Sequence, residues 1–301
     1  MAFRWSKGFS PLQTIKRGIA SLFVCAVVLL PLIFMGVQIA GWLGVDFSRD
    51  PRSNVPLAAM QVRDIDKTTS DVRPFEQPLI SVTFDDGWET TYSQALPLLQ
   101  KYGIPSTQYV LSGTADNRSY MSFAQMVNAA KAGHDIQCHS IDHANLTELD
   151  HAKLLKELAD CKTTLEQKVG VKISDFASPY GASNATTIQA IKNIYRSHRN
   201  TDGDITTNQA DGEDVNTKAN FDRYNIVAVT IRKETTVQEL QAVIDYTVQH
   251  NGWLVLNYHQ VEEGESQFGL NSQVLEDQFK VVGQAKARIV TNAQVMKALG
   301  Y

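Results

Sequence analysis

From Gln77 onward the chain alternates short apolar runs with helix-length amphipathic stretches, and that alternation is what most limits the folds open to it. The order is that of βα repeats, which close into a barrel or spread as an open parallel sheet. The pattern predicts strands at Leu79–Phe84, Thr107–Leu111, Asp135–His139, Asp175–Ser178, Ile226–Thr230, Leu254–Tyr258 and Arg288–Val290. Helical periodicity fills the gaps. The clearest helix starts at an acidic cap near Asp150, runs through Leu154, Leu158, Cys161 and Leu165, and stops at Gly170. A second, over Gln238–Gln249, closes at Asn251-Gly252. No internal repeat accompanies them.

The first part of the chain is different. No formal charge occurs between Arg17 and Asp46, and an apolar run from Ser21 continues through Pro31 to Ile39. At about 1.5 Å per residue this exceeds the roughly 20 residues needed to cross a bilayer, and proline is tolerated in such helices. It also exceeds the roughly 7–15 residues of a signal-peptide core, which favours an uncleaved anchor over a removed leader. Arg4, Lys7, Lys16 and Arg17 precede it and predict an N-terminus on the inside. The expected organisation is a short cytoplasmic segment (1–17), a transmembrane signal anchor (18–45) in contact with the lipid bilayer, a linker or stalk (46–76) without sustained apolar period, and an extracytoplasmic domain (77–301). A formal net charge of −4 over 301 residues gives no basic field for nucleic acid.

Chemistry-bearing residues fall at the C-terminal ends of the predicted strands, where the loops of a βα barrel converge. They are Asp85 and Asp86 in Thr83-Phe84-Asp85-Asp86-Gly87, His139 and His143 in His139-Ser140-Ile141-Asp142-His143, Pro179-Tyr180, and His259. Carboxylates and imidazoles in such positions are the parts of a metal-activated hydrolytic site, one carboxylate to hold metal and another to move a proton. Each motif alone has a plainer reading. Asp-Asp-Gly turns a chain and caps a helix, two histidines at i, i+4 are common on surfaces, and Pro-Tyr-Gly is a turn. Their joint occurrence at successive strand ends favours the site.

With those motifs, Ser178-Pro179-Tyr180-Gly181 and Leu256-Asn257-Tyr258-His259, the chain resembles polysaccharide deacetylases of the NodB-homology type, carbohydrate esterase family four, over about residues 77 to 301. The resemblance implies an α/β fold, a distorted (β/α) barrel with about seven repeats, here preceded by one N-terminal transmembrane helix. It implies that Asp86, His139 and His143 bind a divalent metal, zinc being expected, that Asp85 is the general base and His259 the general acid, and that the Tyr180 backbone N–H stabilises the oxyanion. The activity implied is removal of N-acetyl groups from an N-acetylglucosamine-containing polysaccharide at the cell exterior. An O-acetyl polysaccharide esterase and a non-catalytic sugar-binding protein on the same barrel stand as alternatives.

Two positions depart from the family pattern. Many members carry an arginine where Ala177 stands, to orient the base, which leaves Arg199 or Arg232 to reach Asp85 from another strand or the base tuned otherwise. Asn257 replaces an apolar residue expected against the acetyl methyl, and makes the pocket more polar. His198 and Arg199 are auxiliary candidates for the substrate groove, Trp88 and Tyr180, which adjoin motif residues, are candidates to stack on sugar, and Pro179 is a candidate residue of the substrate site. Cys138 alternates with His139 and faces the helix layer, where Cys161 lies on the apolar stripe of the next helix; a disulfide and two buried thiols both fit.

Overall fold

The computed structural model describes residues 71–201, 203 and 213–301. The expected cytoplasmic segment, the 18–45 span and most of the 46–76 linker lie outside the described residues. Among the described residues no helix is long and apolar enough to cross a membrane.

Among the described residues, eight parallel strands and seven α-helices follow one another. The strands are β1 (Leu79–Phe84), β2 (Ser106–Val110), β3 (Asp135–Cys138), β4 (Asp175–Ala177), β5 (Ser197–Arg199), β6 (Val229–Thr230), β7 (Trp253–Tyr258) and β8 (Arg288–Ile289). The helices are α1 (Leu96–Lys101), α2 (Phe123–Lys131), α3 (His151–Val169), α4 (Ala185–Lys192), α5 (Val237–His250), α6 (Ser272–Gln284) and α7 (Asn292–Ala298). The sheet runs β5-β4-β3-β2-β1-β7-β6, with β8 on β1 beside this path. Parallel bridges from Arg199 to Ile226 and from Gly203 to Val229 join its two edges into a barrel.

Seven α-helices agree with the expectation of about seven repeats, and the strands number eight among the described residues, one more than the pattern predicts. The unforeseen one is β5, whose Ser-His-Arg sequence has no apolar signature because its inward side faces a polar interior. The run read as Ile226–Thr230 pairs regularly only at Val229–Thr230.

Alternation along β1 separates two environments. Ile80, Val82 and Phe84 pack outward under the helices with Leu96, Leu99 and Phe279. Leu79 joins Trp253, Val255, Ile226 and Met296 in a second apolar cluster, which Val72 also enters, so the packed domain reaches upstream of Gln77. Ser81 and Thr83 bond to β7, accepting from Trp253 Nε1 at 2.9 Å and donating to Leu256 O at 3.1 Å.

The α3 helix forms as its sequence dictates. Asp150 accepts from the Lys153 N–H at 2.9 Å, and Gly170 ends the helix at φ 76°, a conformation costly for a residue with a Cβ. A disulfide between Cys138 and Cys161 ties β3 to this helix.

Candidate active site

The ends of β1, β3, β4, β5 and β7 bring the candidate residues together. At the end of β1, Asp85 donates its N–H to Tyr258 O at 3.0 Å, which fixes it beside β7. The chain then turns sharply, with Asp86 at φ 69° and Gly87 at φ 75°. A Cβ at Gly87 would stand 3.1 Å from Val110 Cβ, so both conformation and space favour glycine there. After β3, the N–H of His143 donates to Ser140 Oγ at 3.0 Å and that of Ile141 to Glu157 Oε2 at 2.8 Å, which shapes the loop and moors it to α3. Ser140 and His143 are both left-handed, with φ 76° and 66°.

These turns aim three side chains at one point. Asp86 Oδ1 lies 3.3 Å from His143 Nε2 and 3.5 Å from His139 Nε2, and the three potential ligand atoms all lie within 4.8 Å of one another. His139 Nδ1 lies 2.9 Å from the Ala177 carbonyl oxygen, which can only accept, so the proton sits on Nδ1 and Nε2 presents its lone pair. Burial lowers the His139 pKa, against the pull of Asp85 and Asp86. The second carboxylate oxygen of Asp86 accepts from the Trp88 indole N–H at 2.9 Å, while Oδ1 is buried without a hydrogen-bond partner. A buried carboxylate oxygen and an imidazole lone pair facing each other repel unless a cation lies between them. The donor set, two imidazole nitrogens and one carboxylate oxygen, fits a divalent metal with positions left for water and substrate.

Asp85 stands beside this cluster, 2 % exposed. Its Oδ1 accepts from Arg199 Nη2 and its Oδ2 from Asn257 Nδ2, the latter at 3.1 Å. Burial pushes the carboxyl up, but Arg199, His139 and His259 outweigh it and hold the pKa at about 2. Asp85 is thus ionised throughout the neutral range. Just after β7, the His259 ring stacks on Phe268 with centroids 4.9 Å apart, and its buried Nδ1 has no hydrogen-bond partner among the described residues. Burial lowers its pKa, against Asp85 and Asp86.

Of the two arginines considered for Asp85, Arg199 is the one that reaches it; Arg232 lies over the Phe268 ring instead, at 5.5 Å. His198 is corrected as a groove residue. It alternates with Arg199 on β5 and is buried on the other side, its Nε2 2.8 Å from Ser178 Oγ and its Nδ1 2.9 Å from Tyr224 O. Asn257 is corrected as a polar wall against an acetyl group, because both ends of its amide are engaged by Asp85 and Thr83. Trp88, expected to stack on sugar, stacks on Tyr120 at 4.7 Å and holds Asp86. Pro179 is buried in a single 3₁₀ turn, Pro179–Gly181. That turn presents Tyr180 at φ 61°, 67 % exposed, with its ring edge-on to His143 at 4.3 Å. Residues not foreseen are Ala177, through its carbonyl, and Glu157, through its carboxylate. Neither type signals such a role in a sequence.

Residues 73–195 match the family model for polysaccharide deacetylases. The putative polysaccharide deacetylase YxkH of Bacillus subtilis (strain 168) is 30% identical over 122 residues, which cover 40% of this chain and 43% of that protein. A poly-β-1,6-N-acetyl-D-glucosamine N-deacetylase of Staphylococcus aureus (strain MRSA252) is 26% identical over 132 residues, 39% of this chain and 46% of that one. The chain thus spans less than half the length of these curated relatives. Among solved structures, the Xyl-CE4 domain of a multidomain xylanase from the hindgut metagenome of Trinervitermes trinervoides is similar with a TM-score of 0.52 at 21% identity, over 74% of this chain and 92% of that one. At that identity the likeness bears on fold, and the fold agrees. Residues 73–195 are thus similar to polysaccharide deacetylases, and the fold agrees with that of a solved carbohydrate esterase four domain.

Proposed function

We propose that this chain is a metal-dependent hydrolase that removes N-acetyl groups from an N-acetylglucosamine-containing polysaccharide outside the cell, anchored to the membrane by residues 18–45. The observation that carries the reading is the Asp86, His139 and His143 cluster beside a separate, ionised Asp85, within the part of the chain that matches polysaccharide deacetylases. Asp86, His139 and His143 would hold the metal, zinc by the preference of such a nitrogen and oxygen set. When bound, the ion supplies Lewis-acid polarisation and lowers the pKa of water towards about 7.

The chain's own residues do the rest. Asp85 takes a proton from the attacking water as its oxygen bonds to the acetyl carbon. The Tyr180 N–H donates to the oxyanion of the tetrahedral intermediate. His259 delivers a proton to the sugar nitrogen as the carbon–nitrogen bond breaks, so that acetate and a free amine leave. No covalent enzyme intermediate is needed. The similarity to a poly-N-acetylglucosamine deacetylase supports the substrate class.

The test is acetate release from N-acetylglucosamine oligomers by the full-length chain in detergent with added zinc, beside Asp85→Asn. Release by the wild type, reduced at least 10²-fold in Asp85→Asn, is expected from the usual worth of a general base. Release from O-acetylated sugars alone would replace the reading by an O-acetyl esterase, and sugar binding without any release would replace it by a non-catalytic protein.

A further inference from the structure

The opposite end of the barrel holds a second concavity. A cavity of about 440 Å³ lies at the N-terminal ends of β3 and β4 beside α7, and its wall includes His134, Asp135, Lys172, Ser174, Arg196 and Lys297. Its size is that of a small-molecule site, for which about 300–1,000 Å³ is usual, rather than of a single ion. Asp135 opens β3 and His139 follows its end, so about 13 Å of strand separates the cavity from the metal cluster. No step of the proposed hydrolysis uses it.

The polar groups of its wall are held in place from behind. Arg196 donates Nε and Nη2 to the two oxygens of the fully buried Asp175, each at 2.7 Å. That fork fixes the guanidinium plane, and Nη1 takes no part in it. His134, 4 % exposed, has Nδ1 2.7 Å from Ser106 Oγ, which already accepts from Gln108 Nε2 at 2.8 Å. The serine proton therefore goes to Nδ1, and the imidazole, kept neutral by burial, carries its own hydrogen on Nε2. Asp135 accepts at Oδ1 from Gln137 Nε2 at 2.8 Å, while its Oδ2 is buried without a hydrogen-bond partner. Such an atom is costly until something pairs with it. Burial and Asp175 raise this carboxyl to about 7, so in the neutral range much of it carries a proton.

The ligand class follows from charge and donors. Lys172, Arg196 and Lys297 bring three cations to the wall against one acidic side chain, Asp135. Ammonium, guanidinium, imidazole N–H and carboxyl proton are all donors, and donors converging on one space suit an anionic oxygen group. A phosphate monoester, with about −1.5 to −2 charges and three strong acceptor oxygens, matches them. The Ser174 hydroxyl and Asp135 Oδ2 suit hydroxyls on the rest of the molecule.

We infer that this cavity is a binding site for a small phosphorylated, hydroxylated molecule of the sugar phosphate class, with Lys172, Arg196 and Lys297 at the phosphate and Ser174 and Asp135 at hydroxyls. The site is independent of the deacetylase reading.

The experiment is calorimetry on the full-length chain in detergent, stripped of metal so that no ion held by Asp86, His139 and His143 takes up phosphate. The probes are glucose 6-phosphate, inorganic phosphate and glucose. The variants are Lys172→Ala, Lys297→Ala and, as a control outside the cavity, Lys153→Ala. Glucose 6-phosphate is expected to bind one per chain, at least tenfold tighter than inorganic phosphate or glucose. Lys172→Ala and Lys297→Ala should each weaken it about tenfold through loss of a charge-assisted contact, and Lys153→Ala should leave it unchanged. Both cavity lysines are exposed, so their truncation leaves the core intact. Absence of glucose 6-phosphate binding overturns the site. Binding that survives both cavity substitutions, that Lys153→Ala weakens equally, or that inorganic phosphate matches is general attraction of anions and overturns it too. Acetate release is not read, so failure of the deacetylase reading and failure of this site are separate results.

Discussion

Asp86, Ser140, His143 and Tyr180 all adopt left-handed backbone, at φ between 61° and 76°. Side-chain-bearing residues hold such conformations at about 1–3 kcal/mol each, and only where the surroundings over-determine them. Here the surroundings are visible: the Trp88 indole on Asp86, Ser140 Oγ on the His143 N–H, and the 3₁₀ turn under Tyr180. The metal grip should depend on them. His139→Ala is expected to abolish stoichiometric zinc binding, measured by calorimetry on the full-length chain. Trp88→Phe keeps the ring but frees Asp86 Oδ2, and should weaken zinc by about 10–100-fold, as loss of a partner behind a ligand does. Unaltered affinity in Trp88→Phe would mean that the backbone alone orients Asp86.

At the scale of elements, what could be read in the sequence and what could not divide on physical grounds. β1 was legible to the residue, because an apolar run ended by Asp-Asp-Gly has one reading. α3 was legible because its cap, stripe and terminator agree. Its cap gives a prediction: Asp150→Ala should lower stability by about 1 kcal/mol, read from urea midpoints, without altering zinc binding. An unchanged midpoint would show that the Lys153 N–H is served equally by water. β5 was not legible. Three polar residues, Ser197, His198 and Arg199, become a strand through the register they find against β4 and the run after Arg223, which is long-range information. For the same reason the sequence offered both His198 and Arg199 to the groove, and it is the alternation of the strand, once formed, that separates them. Asn257 was misread because its neighbours, Thr83 and Asp85, come from the far end of the domain.

For the whole molecule, the buried titratable groups set a response to acid. Burial, the first cause for both His134 and His198, holds each pKa at about 4 against an ordinary 6.5. Between those values the unfolded chain takes up protons that the native one refuses, so stability falls as pH drops from 6.5 towards 4, by up to about 3 kcal/mol per histidine. His139 and His259, also lowered, act in the same sense. Asp135 opposes them, since burial and Asp175 raise it to about 7, and Glu157, raised first by burial, joins it. Four histidines against two carboxyls leave a net loss. The urea midpoint of zinc-stripped protein should be lower at pH 4.5 than at pH 7, and an equal or higher midpoint would mean that the two carboxyls prevail.

The bond from the Asp85 N–H to Tyr258 O, which sets β1 against β7, has a consequence in time as well as in space. The proposed base comes from the end of the first strand of the barrel and the proposed acid from just after the seventh, so no chain still lacking β7 can hold the two together. Chains are made from the N-terminus and domains fold as units, so β1, which pairs along its whole length with β7, gains its full set of neighbours only late in synthesis. The proposed base and acid thus come together only when the ring of strands closes.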